Sequence, residues 1–283
     1  IHEAYEEIYY KNKQITSSIQ YASMIQNAML NRTQGLEEWL PESFILLRPR
    51  DVVSGDFHWY HKADGKIIIA ALDCTGHGVP GAFMSMIGNN LMDQIVKNEG
   101  ITAPEKILQR LDEGVAFALN QESTGNEDGM DAAVVMLDTQ KNTLYFGGAK
   151  RPMLYFKDEK WQKLKGTRKG IGGRKWKTKK TAPFCSETLT LDSPLQMYIF
   201  SDGFVDQFGG QEGRKLMLRG LQEILDELRT LPPQKQKAQL DEAFDKWRGG
   251  KEQLDDVLLI GARIYPFKQT TPQQGENAAH QKQ

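Results

Sequence analysis

The run IIIAALDCTGHG at residues 67–78 places an aspartate, Asp73, directly after six apolar residues. Six apolar residues that begin with three isoleucines are typical of a buried β-strand. The glycines at positions 76 and 78 let the backbone turn sharply after the strand. The segment therefore predicts a core strand over residues 67–72 that carries Asp73 to the edge of a sheet.

Three more aspartates share this context at the ends of apolar runs. Asp202 follows the run MYIFS, Asp255 precedes the run VLLI, and Asp56 follows a Ser-Gly dipeptide between two expected strands. A carboxylate beside an apolar strand is costly to bury unless it is paired or bound to a cation. A single aspartate in such a place is more often a turn or capping residue. Four in the same context favour oxygen ligands for hard divalent ions.

Apolar or β-branched runs between about residue 39 and residue 264 predict a series of β-strands. They lie at 44–47, 67–72, 132–137, 143–146, 153–156, 187–191, 197–200 and 257–264. Helices are predicted in two pairs, at 79–98 with 104–121 and at 216–228 with 234–247. Paired helices between many strands differ from a repeated βαβ unit. They favour an α+β fold, a β-sandwich flanked by helices on both faces (α-β-β-α), over residues 36–266.

An N-terminal linker helix is predicted to precede the sandwich, within residues 1–35. Its apolar positions recur at spacings of three, four and seven and form one stripe. The stripe consists of Ile8, Ile15, Ile19, Ala22, Ile25 and Met29. Such a stripe suits either packing on the same domain or a homodimeric seam with a second copy, and both alternatives stay open. Residues 267–283 are polar and are predicted to be a disordered tail.

The net charge and the cysteine count limit the partners and the cellular compartment that we expect for this protein. With a net charge of −1 and a pI of about 6.6, the protein has no overall electrostatic attraction for nucleic acid. The basic stretch 174–180 is interpreted as a solvated loop or strand edge. Two cysteines outside any CxxC pattern indicate a reducing, cytoplasmic setting. Because the chain opens inside a helical pattern and not at a methionine, we expect a longer protein with an upstream sensor or signalling module.

The order of these motifs resembles the SpoIIE (stage II sporulation protein E) branch of the metal-dependent, type 2C-like serine/threonine protein phosphatases. The matching segments are residues 50–57 (RDVVSGDF), 73–81 (DCTGHGVPG), 128–131 (DGMD), 146–149 (FGGA), 201–204 (SDGF) and 255–256 (DD). The resemblance covers about residues 44–264. It implies hydrolysis of phosphoserine or phosphothreonine on a signalling protein, such as a STAS-domain anti-anti-sigma factor, by water activated between two metal ions.

The resemblance also implies that two Mn²⁺ or Mg²⁺ ions lie in a cleft at one edge of the sandwich. By position, Asp73 would bridge the two ions, and the backbone carbonyl of Cys74 would bind the first. Asp56 would hold water on the first ion, while Asp202 and Asp255 would bind the second. These assignments come from the matched motifs and apply to this chain as expectations.

Three further roles are matched less closely. Asp128 stands where bacterial relatives recruit a third, weaker ion. The phosphate-binding arginine of the wider family corresponds better to Arg50 than to Arg48. Animal type 2C enzymes have a candidate general acid two residues after the bridging aspartate, whereas His77 stands four residues after Asp73. That difference favours a role for His77 at the start of the next helix over proton donation.

Two rival functions stay open. One is a pseudophosphatase that only binds partners, although the complete set of aspartates counts against it. The other is a metallohydrolase of small phosphate esters, whose fold and metal site would look the same. Assays on a phosphopeptide and on a small ester, each with and without Mn²⁺, distinguish these functions.

Overall fold

Two antiparallel β-sheets lie face to face at the centre of the computed structural model, which describes residues 2–30, 35–173 and 182–268. The strands are β1 (Ser43–Arg48), β2 (Phe57–Ala63), β3 (Lys66–Cys74), β4 (Gly129–Asp138), β5 (Thr143–Ala149), β6 (Met153–Lys157), β7 (Lys160–Leu164), β8 (Ile171–Gly172), β9 (Ser186–Thr190), β10 (Leu195–Phe200), β11 (Phe208–Gly209), β12 (Arg214–Lys215) and β13 (Val257–Ile264). One sheet has the spatial order β1-β13-β10-β6-β7. The other has the order β2-β3-β4-β5-β9, with β8 paired to β4, and β11 pairs with β12 separately.

Helices cover the outer faces of both sheets. They are α1 (His2–Leu30), α2 (Gly78–Met92), α3 (Pro104–Ala118), α4 (Gln121–Thr124), α5 (Gly203–Asp206), α6 (Met217–Leu228) and α7 (Pro233–Arg248). A 3₁₀ turn at Leu36–Glu38 precedes β1, and α2 continues as a π-helix over Asp93–Asn98. Helices α2 and α3 pack on the sheet that contains β3 and β4, whereas α6 and α7 pack on the sheet that contains β1 and β10.

Alternation along the strands divides the apolar side chains into separate layers. In β3, Ile67 and Ile69 pack between the two sheets, whereas Ile68 and Ala70 pack against α2 and α3. Burial of both faces explains why this strand shows no alternation with polar residues in sequence. Burying each large aliphatic side chain contributes about 1.5–3 kcal/mol to folding. The layers therefore stack as helix, sheet, sheet and helix.

The predicted fold class is confirmed, and the helix pairs lie close to their expected places. The main omissions are β2 (FHWYHKA) and β7 (KWQKL), in which His and Lys residues interrupt the apolar ones. β7 lies at the edge of its sheet, where charged side chains are common because one side of the strand has no partner. A search for apolar runs does not detect such strands.

The predicted boundaries of the linker helix and the sandwich domain stay predictions. The α-helix of residues 2–30 agrees with a linker element ahead of the first strand. The predicted disordered tail lies outside the described residues beyond position 268, and so does the basic stretch 174–180.

The N-terminal helix α1 docks on the domain through its second half. Gln26 is buried, and its side-chain amide donates to the Ser54 carbonyl at 2.6 Å and to Ser85 Oγ at 2.9 Å. Its side-chain oxygen accepts the Ser54 N–H at 3.1 Å. Because Ser54 lies two residues before Asp56, the helix is tied directly to a loop of the predicted metal site.

The first half of α1 leaves apolar surface uncovered. Ile8 and Ile15 of the predicted stripe are 59% and 57% exposed, whereas Ile19 and Ala22 are partly buried. Packing on the same domain therefore accounts for Ile19 and Ala22 only, since Ile25 and Met29 are 42% and 36% exposed. A seam with a second copy stays a prediction. Within the described part of the chain, no helix combines the length and apolar character needed to cross a membrane.

Candidate metal centre

The four aspartates of the predicted metal site lie at one edge of the sandwich. β3 and β10 end at this edge near Asp73 and Asp202, while β2 and β13 begin there after Asp56 and Asp255. Antiparallel pairing of β2 with β3 and of β10 with β13 brings these ends together within each sheet. The backbone N–H of Asp202 lies 3.4 Å from Asp73 Oδ2 and joins the two sheets at this edge.

A fifth aspartate, Asp131, faces the same space. β3 extends through Cys74, and its register with β4 places Asp73 opposite Asp131. Both fall on the inner face of their sheet, because Ala71 and Ala133, two positions away, pack between the sheets. The cluster therefore contains a fifth carboxylate, which directly precedes the apolar run at residues 132–137.

Arg151 provides the positive charge at the centre of this cluster. It lies in the connection from β5 to β6, where the chain crosses from one sheet to the other. Its Nη2 lies 2.5 Å from Asp202 Oδ2, 2.8 Å from Asp131 Oδ2 and 3.3 Å from Asp73 Oδ2. Lys150 contacts the same cluster from the outside, 3.1 Å from Asp131 Oδ1. Three carboxylates thus share one guanidinium and one half-exposed ammonium group.

Burial leaves two of the carboxylates short of positive charge. Asp56 is 3% exposed, and its Oδ2 has no hydrogen-bond partner among the described residues. Burial first, and then the charge of Asp73, raises the pKa of Asp56 well above its usual range. Burial and the charge of Asp202 raise the pKa of Asp73 to about 7, although Arg151 opposes the shift. Both shifts are expected where carboxylates are buried close to one another.

The two adjacent acids before β13 have different surroundings. Asp256 is buried and accepts hydrogen bonds at 2.7 Å from the backbone N–H groups of Arg50 and Gly55. It therefore fastens the loop that carries Asp56 to the start of β13. Partial burial, and then the charges of Asp202 and Asp256, raise the pKa of Asp255.

Cys74 and Asp128 lie on the flanks of the cluster. The Cys74 thiol packs between the sheet and the helices, and burial raises the pKa of the thiol. The charges of Asp56 and Asp73 raise the pKa of this thiol further. Asp128 is exposed, and its Oδ1 accepts a hydrogen bond from Thr75 Oγ1 at 3.3 Å. The contacts around Arg151 do not include it.

The remaining candidates lie at the rim. Arg50 is exposed, and its Nη1 donates to the Leu254 carbonyl at 2.9 Å. The guanidinium of Arg48 binds two aspartates of α7. The structure therefore brings neither arginine into contact with the clustered carboxylates. His77 Nδ1 lies 2.9 Å from Asp51 Oδ2 directly before α2. The roles predicted for Arg50 and His77 stay predictions.

The donor set fits hard divalent ions. It consists of carboxylate and backbone oxygens, which Mg²⁺ and Mn²⁺ prefer, and it includes the unpartnered buried Oδ2 of Asp56. Among the residues that the structure describes, no three His, Cys, Asp or Glu side chains converge to hold an ion by themselves. Ions held here would therefore take much of their coordination from water and backbone carbonyls, as Mg²⁺ commonly does.

Asp131 and Arg151 were not assigned from sequence. Asp131 stands in the DGMD motif at 128–131, and Arg151 comes two residues after the FGGA motif at 146–149. Asp131 directly precedes the apolar run at 132–137, so a strand-end signal for it was present in the sequence, whereas no such signal marks Arg151. The pairing of β3 with β4 would have indicated Asp131, and the crossing between sheets would have indicated Arg151.

Comparison with known proteins assigns the chain to a family. A family model described as stage II sporulation protein E (SpoIIE) matches residues 63–265, well over half of the chain. The chain belongs to the SpoIIE family. It is a PP2C-type serine/threonine phosphatase domain, and the class of enzyme predicted from the motifs is confirmed. No curated protein matches the chain at a significant level.

Solved structures of phosphatase domains share the SpoIIE-family fold. The SiaA-PP2C domain of Pseudomonas aeruginosa is 32% identical, with a TM-score of 0.81 over 90% of this chain and 98% of that chain. The phosphatase domain of SpoIIE from Bacillus subtilis, with a fragment of its regulatory domain, is 16% identical, with a TM-score of 0.63 over 82% and 64%. RsbX in complex with magnesium is 12% identical, with a TM-score of 0.52 over 78% and 94%. The last two show the fold alone.

Replacing Asp56 by Asn should stabilise the metal-free SpoIIE-family domain while weakening its response to metal. The substitution removes an ionisable group that is buried without a full set of partners, so the free energy of unfolding should rise by about 1–3 kcal/mol. Added Mn²⁺ should stabilise the variant less than the wild type, because a proposed ligand is gone. Chemical denaturation with and without Mn²⁺ measures both effects.

Asp138→Asn is the matched control, because Asp138 is equally buried but accepts backbone hydrogen bonds from Gln140 and Lys141. This variant should lose stability and keep the full response to Mn²⁺. A loss of stability in metal-free Asp56→Asn as large as that in Asp138→Asn would contradict the account of Asp56.

Proposed function

We propose that this SpoIIE-family domain hydrolyses phosphoserine or phosphothreonine on a bacterial signalling protein, with two Mn²⁺ or Mg²⁺ ions in the acidic cluster. The proposed ligands are Asp56, Asp73, Asp202, Asp255 and the carbonyl of Cys74, with Asp128 for a third ion. The observation that carries the proposal is the carboxylate cluster itself: Asp56 is buried with an unpartnered Oδ2, and Asp73 shares the Arg151 guanidinium with two other carboxylates. The magnesium bound by RsbX supports the choice of ion by analogy.

The protein's contribution to this reaction is to position charge. Bound divalent ions supply a water of lowered pKa for attack on phosphorus and stabilise the charge on the phosphoryl oxygens. Asp73 and Asp202, which come from opposite sheets, would fix the positions of the bound ions. Asp256 anchors the loop that carries Asp56. The Cys74 thiol is turned toward the helices with a raised pKa, so we assign it no nucleophilic role.

An apolar rim, defined as Val52 before Asp56 together with Val79 and Phe83 on the helix that follows the Asp73 loop, favours a protein substrate over a small ester. Val79 and Phe83 lie one turn apart on α2, directly after the Asp73 loop, and are 38% and 64% exposed. Val52, in the loop before Asp56, is 51% exposed. Exposed apolar side chains grouped beside a polar site are typical of protein-binding surfaces. A STAS-domain protein is the proposed substrate class, on the motif resemblance to the SpoIIE branch.

A domain without catalysis, acting only by binding partners, is the rival proposal. The complete set of carboxylates counts against it, since unpaired buried acids lower stability and persist where a function needs them.

A cytoplasmic location is also proposed for this phosphatase domain, because both of its cysteines are free.

Activity on a phosphopeptide should depend on Mn²⁺ or Mg²⁺ and should fall by about a hundredfold or more in Asp73→Asn and in Asp202→Asn. The expected size is that of losing a group that stabilises charge in a transition state. Phosphate release, measured from a phosphoserine peptide in Mn²⁺ and in EDTA, tests the dependence. Full turnover by metal-stripped protein would rule out the proposed chemistry.

Asp64→Asn is the control for these two variants. Asp64 lies in the turn before β3, at the opposite end of that strand from Asp73, and has the positive φ that asparagine tolerates. Its activity should equal that of the wild type. Equal rates in all three variants at saturating Mn²⁺ would show that the site is assigned to the wrong acids.

Phe83→Ala should raise KM for the phosphorylated protein substrate about tenfold and leave hydrolysis of a small aryl phosphate unchanged. The variant removes an exposed ring beside the site without touching the carboxylates. Tyr265→Ala is the control, since Tyr265 is also an exposed aromatic residue but follows the far end of β13. Equal KM values for Phe83→Ala and wild type on a phosphorylated STAS-domain protein would remove the support for this rim.

A homodimer through the first half of α1 is also proposed. Ile8 and Ile15 are seven residues apart and exposed, as expected for a seam between two copies of this helix. An upstream sensor in the full-length protein could then act through α1, because Gln26 ties the same helix to the loop before Asp56.

Ile8→Asp combined with Ile15→Asp should convert a dimer to a monomer without unfolding the domain, because neither side chain packs on it. Light scattering measures the mass, and Lys11→Asp with Lys13→Asp is the control on the same half of the helix. A monomeric wild type at micromolar concentration would exclude this interface.

A further inference from the structure

Arg151 contacts the carboxylate cluster in an unusual way for an arginine. A guanidinium usually binds a carboxylate through two parallel hydrogen bonds from its fork. Here one nitrogen, Nη2, faces oxygens of Asp73, Asp131 and Asp202, and the buried Nε has no hydrogen-bond partner among the described residues. The guanidinium thus acts as a point of positive charge at the centre of the acids.

The guanidinium and divalent ions would need the same oxygens. Nη2 lies against Asp73 Oδ2 and Asp202 Oδ2, which belong to two of the carboxylates that the proposed function names as metal ligands. A divalent ion bound there would meet a second positive charge at contact distance in a poorly solvated place, where repulsion between charges is strong. Both cations cannot occupy that position together.

We propose that Arg151 is an internal counter-ion that holds the metal-free acids in place and leaves Asp73 and Asp202 when divalent ions bind. The proposal rests on the proposed metal-dependent function and deepens it, because Arg151 then sets the metal concentration at which the domain becomes active. Arg151 is a positioning residue in this account. Without it, the acids of two different sheets would repel one another across the open edge.

The structure also provides a place for the displaced side chain. Asp131 contacts Arg151 at 2.8 Å and is not among the proposed metal ligands. Asp131 and Lys150 line a cavity of about 310 Å³ beside the cluster, together with Thr75 and Gly170. Arg151 can therefore move toward this cavity and keep its contact with Asp131 while releasing the other two carboxylates.

Mn²⁺ titration by calorimetry, without substrate, tests the exchange. Arg151→Met removes the charge and keeps the apolar length of the side chain, so it should bind Mn²⁺ at least about tenfold more tightly than the wild type. Damage to the fold would change affinity in the opposite direction. Metal-free Arg151→Met should also melt at a lower temperature than the metal-free wild type, and the difference should shrink in saturating Mn²⁺.

Two variants serve as controls. Arg151→Lys keeps the positive charge and should keep Mn²⁺ affinity within about threefold of the wild type. Lys150→Met removes a neighbouring charge that contacts Asp131 but neither Asp73 nor Asp202, and it should also change affinity by less than about threefold. If metal-free Arg151→Met is unfolded, its refolding at Mn²⁺ concentrations below those that saturate the wild type would support the exchange equally.

Three results would overturn the proposal. Equal or weaker Mn²⁺ binding by folded Arg151→Met would show that Arg151 does not compete with the ion. In that case the proposed function would still stand if the wild type showed metal-dependent activity. Failure of an unfolded Arg151→Met to refold at any Mn²⁺ concentration would show a purely structural role. A wild type that neither binds Mn²⁺ nor shows metal-dependent hydrolysis would overturn the proposed function and the exchange together.

Discussion

The cluster of carboxylates at the open edge of the sandwich is the constraint on which the site depends. Asp73 and Asp131 face each other across β3 and β4, and Asp202 reaches them from the other sheet. Like charges so close are unfavourable in a poorly solvated place. The chain offsets part of this repulsion with Arg151, while burial and the charge of Asp202 still raise the pKa of Asp73.

The loops around the cluster are built to hold it in this unfavourable arrangement. Asp256 accepts two backbone N–H groups from the 50–56 loop and fixes it to β13. A Cβ at Gly55 would lie 2.7 Å from the Gly76 carbonyl, so only glycine lets the two loops meet. On the outer side, Gln26 of α1 fastens Ser54 of the same loop. A movement of α1 would therefore reach Asp56 through two residues of backbone.

Much of the fold could be read from the sequence because the strands that matter most are buried on both faces. β3, β10 and β13 appear as continuous apolar runs, and the acids at their ends mark the edge of the sheet. The longest strands that escaped detection, β2 and β7, carry polar residues and lie at the edges of their sheets. Their place is set by pairing with a neighbour, which a local pattern does not contain.

The sequence by itself determined the α+β sandwich, the N-terminal helix and the four strand-end aspartates, because each leaves a local signal of hydrophobic period or abrupt polarity. Only the tertiary structure decided which groups share the cluster with them. Asp131 enters through strand register, and Arg151 enters because the chain crosses between sheets at that edge. Charge balance in a site depends on distances between residues far apart in the chain, and those distances exist only once the two sheets have packed together.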